Sequence, residues 1–152
     1  MTTTTITNAT ATQVYQVFIK ASPEAIWEAI TKPEFTSKYF HGATIDTDRE
    51  RRRTFMRGEL ANVAEVLEYD PPRRLVHGWN AFYDPELAAE GDSRVTWELE
   101  PQEGGLCLLT VVHDRLEDSP KTAASVAGPG WMFVLSGLKT LVESGDAFVS
   151  QD

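Results

Sequence analysis

The sequence predicts an α+β domain in which an antiparallel sheet is covered on one face by a long C-terminal helix. The first observation is an alternation at residues 95–100, where Val95, Trp97 and Leu99 share one face and the residues between them are polar. The second is an apolar pattern at helical spacing that runs from Trp131 to residue 142. No other helical segment is long enough to cover the buried face of such a sheet.

The N-terminal part of the domain is predicted to be one strand followed by two short helices. Residues 13–19 are rich in β-branched and aromatic side chains, which favour a strand. Ser22 is a suitable helix N-cap and Pro23 suits the first helical position, so a helix is expected over residues 23–31. Pro33 ends that helix and can begin another.

Patterns of period two and turn residues divide most of the remaining chain into strands. The Pro-Pro pair at 71–72 ends one strand, and the Gly-Gly pair at 104–105 makes a turn. The strands expected after the first are residues 43–47, 52–57, 60–68, 75–80, 95–100 and 106–113. Together they give a sheet of about six to seven strands. Residues 84–92 and the segment around Ser119 are expected to be loops, and the final helix is expected to end near Gly145.

Length and charge restrict the organisation and the partners. The 152 residues fit one domain, which we place at residues 13–145 between a flexible tail at 1–12 and a short tail at 146–152. The formal net charge of −9 disfavours nucleic acid and anionic membranes as partners. The basic run at 49–53 is interpreted as the solvated face of a hairpin turn.

The single cysteine and the absence of sorting signals favour a cytoplasmic protein. Cys107 has no intramolecular disulfide partner and lies in an apolar run, where a buried structural thiol is expected. No segment reaches the roughly 18 apolar residues that span a bilayer. The Thr-rich N-terminus lacks the basic start and apolar centre of a secretory signal.

Three segments carry a resemblance to a known superfamily. Residues 21–27 read ASPEAIW, residues 65–76 read EVLEYDPPRRLV, and Trp131 opens the final helix. With these motifs the chain resembles the START-like, birch-pollen-allergen-like (SRPBCC) superfamily, and within it the branch named for the activator of the heat-shock chaperone's ATPase. The resemblance covers residues 13–145 and implies a helix-grip fold, in which sheet and helix enclose a cavity for an apolar or amphipathic molecule. The segment 49–54 departs from the Gly-rich hairpin usual there.

Side chains on the inward faces are the candidates for a ligand cavity, because ligand sites are mostly apolar with a few orienting polar groups. The candidate cavity residues are Tyr39, Phe40, His77, Trp79, Phe82, Tyr83, Trp97, Val111, His113, Trp131, Leu135 and Leu138. Trp97 is also expected to serve as a packing residue, whereas Trp79, Phe82 and Tyr83 approach the expected mouth of the cavity.

The two inward histidines can be interpreted as functional or as structural residues. His77 and His113 fall on inward faces and could contact a ligand or move a proton near neutral pH, or they could be satisfied by partners in the core. In the resembling family the segment matching residues 111–113 commonly points its histidine inward. Asp114 is expected on the opposite face, and His41 is expected to face solvent.

Three functions remain open from the sequence. The leading hypothesis is non-catalytic binding of a hydrophobic or amphipathic small molecule, lipid-like or polyketide-like. An alternative implied by the superfamily is a cyclase or dehydratase that uses His113 as acid/base with Tyr83 or His77 assisting. A third is a chaperone-binding module, and the exposed sheet face leaves a homodimer open. No metal-ligand spacing, nucleotide-binding fingerprint or nucleophile elbow occurs, so we predict no metal and no cofactor.

Overall fold

A computed structural model describes residues 11–147 of the chain. The predicted tails, 1–12 and 146–152, lie outside the described residues except for residues 11, 12, 146 and 147 at their inner ends. Among residues 11–147, no helix has both the length and the apolar character needed to cross a membrane.

The predicted order of elements is confirmed, with two additional short helices. The strands are β1 Gln13–Ile19, β2 Thr44–Thr47, β3 Arg51–Met56, β4 Glu59–Asp70, β5 Arg74–Trp79, β6 Ser93–Pro101 and β7 Cys107–Asp114. The helices are α1 Pro23–Thr31, α2 Pro33–Thr36, α3 Pro85–Ala88, α4 Pro120–Val126 and α5 Pro129–Ser144. Helices α3 and α4 occupy segments that the sequence predicts to be loops.

All seven strands form one antiparallel sheet in the order β1-β7-β6-β5-β4-β3-β2. The register shifts twice along β4. Thr54 pairs with Asn62 but the next residue of β3 pairs with Leu60, which leaves Ala61 as an extra residue. The second shift leaves Leu67 extra between the partners of β5. Because an extra residue bends a strand and increases its twist, these bulges curve the sheet.

The helix termini follow from local sequence. Ser22 Oγ accepts a hydrogen bond from the Ala25 N–H at 3.1 Å, as expected for an N-cap. Helix α5 ends at Gly145, whose φ of 85° lies in the left-handed region that glycine adopts without steric cost. Both ends agree with the sequence prediction.

The core lies between one end of the curved sheet and helices α1 and α5. Helix α5 packs against β1 and α1 and faces the first strands of the sheet order. The largest fully buried side chains include Trp97, Ile19, Ile26, Ile30, Leu75, Leu109, Leu138, Val95 and Val111. Strands β2, β3 and β4 are less covered by α5, and the space beside them forms a pocket.

Candidate functional site

An apolar pocket lies between strands β2–β5 and the N-terminal part of α5. Its volume is about 740 Å³, within the range of about 300–1,000 Å³ found for small-molecule sites. The sheet side contributes Ala43, Ile45, Arg52, Thr54, Met56, Ala61, Asn62, Ala64, His77, Gly78, Trp79 and Trp97. The other side is formed by Phe40, His41, Asn80, Phe82, Tyr83, Ser125, Val126, Gly130, Trp131 and Val134.

The candidate cavity residues divide into wall and core. Those that lie on the pocket wall are Phe40, His77, Trp79, Phe82, Tyr83, Trp97 and Trp131. The other five candidates lie in the core behind the wall and not on it, which differs from the prediction; they are Tyr39, Val111, His113, Leu135 and Leu138. The pocket reaches only the first turns of α5, so Leu135 and Leu138 pack into the core instead.

Strand register explains why two candidates on β7 do not reach the pocket. One row of paired residues crosses β5, β6 and β7 and consists of Leu75, Trp97 and Val111. The indole of Trp97 is the largest side chain in this row. Val111 and His113 are both fully buried. Alternation therefore gave the correct face of the sheet, but the pocket lies farther along the sheet, over β3, β4 and β5.

His77 is held neutral by hydrogen bonds at both ring nitrogens. His77 Nδ1 lies 2.7 Å from the carbonyl oxygen of Gly78, and His77 Nε2 accepts a hydrogen bond from Trp97 Nε1 at 2.9 Å. An indole nitrogen can only donate, which assigns the proton to Nδ1. Burial lowers the pKa of His77 well below its usual value, and the nearby charge of Arg52 lowers it further.

His113 has the same arrangement with different partners. Trp131 Nε1 donates to His113 Nδ1 at 3.0 Å, so the ring proton is on Nε2, which lies 2.7 Å from Ser93 Oγ. Ser93 in turn donates to the Trp79 carbonyl at 3.3 Å. Burial lowers the pKa of His113 to about 4. The ring therefore has no free nitrogen for a proton transfer to a ligand in the pocket.

Asp114 does not orient His113. Its carboxylate accepts two hydrogen bonds from Arg94, from Nε at 2.8 Å and from Nη2 at 2.5 Å, on the other face of the sheet. These bonds lower the pKa of Asp114. The expected separation of the two neighbouring side chains is confirmed.

Arg52 is a functional candidate that the sequence pattern does not reveal. The prediction that the basic run is solvated is wrong for Arg52, because this residue is 4% exposed and lines the pocket. Successive strand residues point to opposite faces, so Arg51 is exposed while Arg52 turns inward. Arg52 lies 5.9 Å from the centre of the Trp97 ring, a cation–π arrangement. Burial lowers its pKa to about 10, so the guanidinium is charged at neutral pH.

Polar side chains at the mouth fix the segment between β5 and α3. Asn80 Nδ2 donates to the carbonyl oxygens of Ala88 and Gly91 and to the carboxylate of Asp92. The Tyr83 hydroxyl lies 3.3 Å from Ser125 Oγ on α4. Tyr83 is 57% exposed, so this contact connects the two sides of the mouth at the surface.

His41 also lies at the mouth and is exposed, as expected. Its ring stacks on Phe133 of α5, with centroids 5.5 Å apart. In the described part of the chain, no group of three His, Cys, Asp or Glu side chains is arranged to hold a metal ion. What the pocket offers a ligand is apolar surface, one buried cation and a few neutral hydrogen-bonding groups.

A seven-stranded antiparallel sheet curved around a long C-terminal helix, with a pocket between them, defines a helix-grip domain of the START-like class. The chain belongs to the family described as Activator of Hsp90 ATPase homolog 1-like protein, whose family model matches residues 20–143. The superfamily and branch indicated by the sequence motifs are therefore confirmed.

Solved structures agree on the fold. Protein MLL2253 from Mesorhizobium loti is 24% identical, with a TM-score of 0.69 over 89% of this chain and 98% of that one. CalU16 from Micromonospora echinospora is 26% identical, with a TM-score of 0.68 over 92% of this chain and 77% of that one. DynU16, a putative protein in the dynemicin biosynthetic locus, is 19% identical, with a TM-score of 0.63 over 90% and 49% of the two chains. None of the curated proteins matches the chain.

Proposed function

We propose that the protein binds a hydrophobic or amphipathic small molecule in the pocket between β2–β5 and α5. The observation that carries the proposal is a pocket of about 740 Å³ with a mainly apolar wall and a few inward polar groups. Burying the apolar part of a ligand there is favourable by roughly 25 cal/mol for each Å² removed from water. The solved relatives support the fold alone, and the proposal depends on the pocket.

Binding without chemistry is favoured over acid/base catalysis. The cyclase or dehydratase hypothesis assigned the proton transfer to His113, with Tyr83 or His77 assisting. Both histidines are occupied at each ring nitrogen, and burial depresses the pKa of each. A general base must be within hydrogen-bond reach of its proton and free to accept it, and neither imidazole meets this condition.

The test uses N-phenyl-1-naphthylamine, a neutral probe whose fluorescence rises in apolar surroundings. Ala64 lines the pocket on β4, and its neighbour Val63 is 47% exposed on the opposite face. We expect the wild type to bind the probe and Ala64→Trp to weaken binding by about tenfold or more, because the indole would fill the pocket. Val63→Trp is the matched control and should bind as the wild type does.

Two results would contradict the proposal. One is a wild-type protein that leaves the probe fluorescence unchanged at saturating concentration. The other is equal weakening by Ala64→Trp and Val63→Trp, which would place the probe outside the pocket. Circular dichroism of both variants checks that the fold is retained.

A further inference from the structure

Within residues 11–147, Arg52 uses one of its three guanidinium nitrogens for hydrogen bonds. Nη1 donates to the carbonyl oxygen of Ile30 at 3.0 Å and to Thr47 Oγ1 at 2.6 Å. Ile30 is in the last turn of α1, where carbonyl oxygens lack intrahelical partners, so these bonds connect β3 to the helix end. Nη1 carries two protons, and the two bonds use both.

The other edge of the Arg52 guanidinium faces the pocket. Nε and Nη2 form no hydrogen bond with residues 11–147. Every fully buried side-chain nitrogen or oxygen in that range has a hydrogen-bond partner. Because Nε and Nη2 have none, they are not fully buried and must reach open space. Arg52 lines the pocket and is almost completely withdrawn from the outer surface, so that space is the pocket.

No negative charge in the described part of the chain compensates Arg52. Tyr39 is one titratable neighbour of Arg52, and its hydroxyl is uncharged, buried and donates to the Ala29 carbonyl at 2.7 Å. His77, the other titratable neighbour, is neutral. A buried guanidinium without a carboxylate is unusual, because proteins normally pair buried charges.

Arg94 shows what the free edge of Arg52 can bind. Arg94 uses Nε and Nη2, the same two nitrogens that are free on Arg52, to hold the carboxylate of Asp114. Such bidentate pairs match the planar guanidinium to a planar carboxylate and are among the strong hydrogen bonds in proteins.

We propose that the ligand of this pocket is an amphipathic carboxylate whose head group pairs with Nε and Nη2 of Arg52. The apolar part of the molecule then lies along the wall formed by Trp79, Trp97 and Trp131. This inference depends on the proposed function and adds the chemical class of the ligand. Neutral apolar molecules bind the same wall, but without the bidentate pair.

The experiment measures displacement of N-phenyl-1-naphthylamine by decanoate and by decan-1-ol at pH 7.5. The two competitors share a chain length and differ in the head group. We expect the wild type to prefer decanoate by about 10- to 100-fold, the range for hydrogen bonds to a charged group. Arg52→Gln should abolish the preference, which is measured as the ratio of the decanoate and decan-1-ol affinities within each variant. Arg52→Lys, which keeps the charge but loses the planar pair of donors, should retain part of the preference.

The matched control is Arg53→Gln, which removes the same charge from the adjacent position. Arg53 is paired with Asp48 outside the pocket, so the preference for decanoate should persist. Failure of the wild type to bind the neutral probe would count against the proposed function itself. Normal probe binding with no preference for decanoate, or with a preference that survives in Arg52→Gln, would overturn the assignment of Arg52 and leave the proposed function intact.

A measurement on the wild type keeps the inference testable if Arg52→Gln does not fold. The ¹H–¹⁵N signal of the Arg52 Nε–H, identified by its loss in Arg52→Lys, should shift on addition of decanoate and not on addition of decan-1-ol. A signal that decanoate leaves in place at saturation would overturn the proposal.

Discussion

The two buried histidines show how single side chains decide between binding and catalysis. His77 and His113 lie in one row across β5, β6 and β7, separated by Val95, and each accepts a hydrogen bond from a tryptophan indole. Because an indole nitrogen has no lone pair to offer, each contact requires a neutral imidazole. The two rings are therefore structural acceptors for Trp97 and Trp131, the tryptophans that line the pocket.

This arrangement predicts a dependence of stability on pH. Folding lowers the pKa of both histidines below the ordinary value of 6.5, to about 4 for His113. Well above pH 6.5 both histidines are neutral in the folded and in the unfolded protein, and their full contribution to stability is present. As the pH falls through 6.5, the unfolded chain binds more protons than the folded protein, so the free energy of unfolding decreases. For His113 alone, we expect a loss of about 2–3 kcal/mol between pH 7 and 4.5.

Urea denaturation at several pH values between 4.5 and 7 measures this loss. Asp114, whose pKa is also lowered, acts mainly below this window, and the glutamates with lowered pKa values contribute only near its lower end, because the unfolded pKa values of carboxylates lie near 4. His113→Gln should reduce the slope of the unfolding free energy against pH. Equal slopes in the wild type and in His113→Gln would show that His113 does not cause the loss of stability.

At the scale of elements, the sequence predicted most of the fold because its signals were local. Alternation predicted β6, and apolar spacing with Gly145 predicted α5 and its end. Helices α3 and α4 were missed, although each begins with a proline after Asp84 or Ser119, as α1 does after Ser22. Each has seven residues or fewer, too short to display apolar periodicity.

The site was less predictable because it depends on long-range placement. Alternation could assign an inward face to Val111, but it could not show that the pocket would form over β3 to β5 instead. Arg52 is charged, so hydrophobic alternation could not identify it as buried. Its burial depends on the hydrogen-bond partners Ile30 and Thr47, which lie in other elements. The burial of an arginine inside a basic run can be recognised only when the register of its strand is known.

The contact between Tyr83 and Ser125 is expected to control the rate of ligand exchange. It connects the segment before α3 to α4 across the pocket mouth, and its 3.3 Å hydrogen bond is partly exposed to solvent. We expect Tyr83→Phe to increase the dissociation rate of N-phenyl-1-naphthylamine by a few-fold, about the effect of losing one weak hydrogen bond.

Stopped-flow dilution of the loaded protein measures this rate, and Ser125→Ala should give the same increase. Because both changes remove one interaction, the double variant should dissociate no faster than either single variant. Additive increases would show that the two hydroxyls act separately, and unchanged rates would show that the mouth does not limit exchange.

At the scale of the whole molecule, a buried cation lies inside a strongly acidic protein. The formal net charge is −9, so an approaching carboxylate is repelled by the surface before it reaches Arg52. Salt screens charges that are exposed to solvent and acts much less on buried pairs. The repulsive and attractive contributions to carboxylate binding therefore respond differently to ionic strength.

We expect the preference for decanoate over decan-1-ol to be maintained or to rise by a few-fold between about 20 and 500 mM NaCl, because salt weakens the surface repulsion and not the Arg52 pair. The ratio of the two affinities is the quantity to measure, since salt strengthens apolar burial for both competitors alike. A carboxylate bound at an exposed lysine or arginine would show the opposite trend, with the preference falling as salt is added. A fall of about tenfold would place the head group on the surface and exclude Arg52 as its partner.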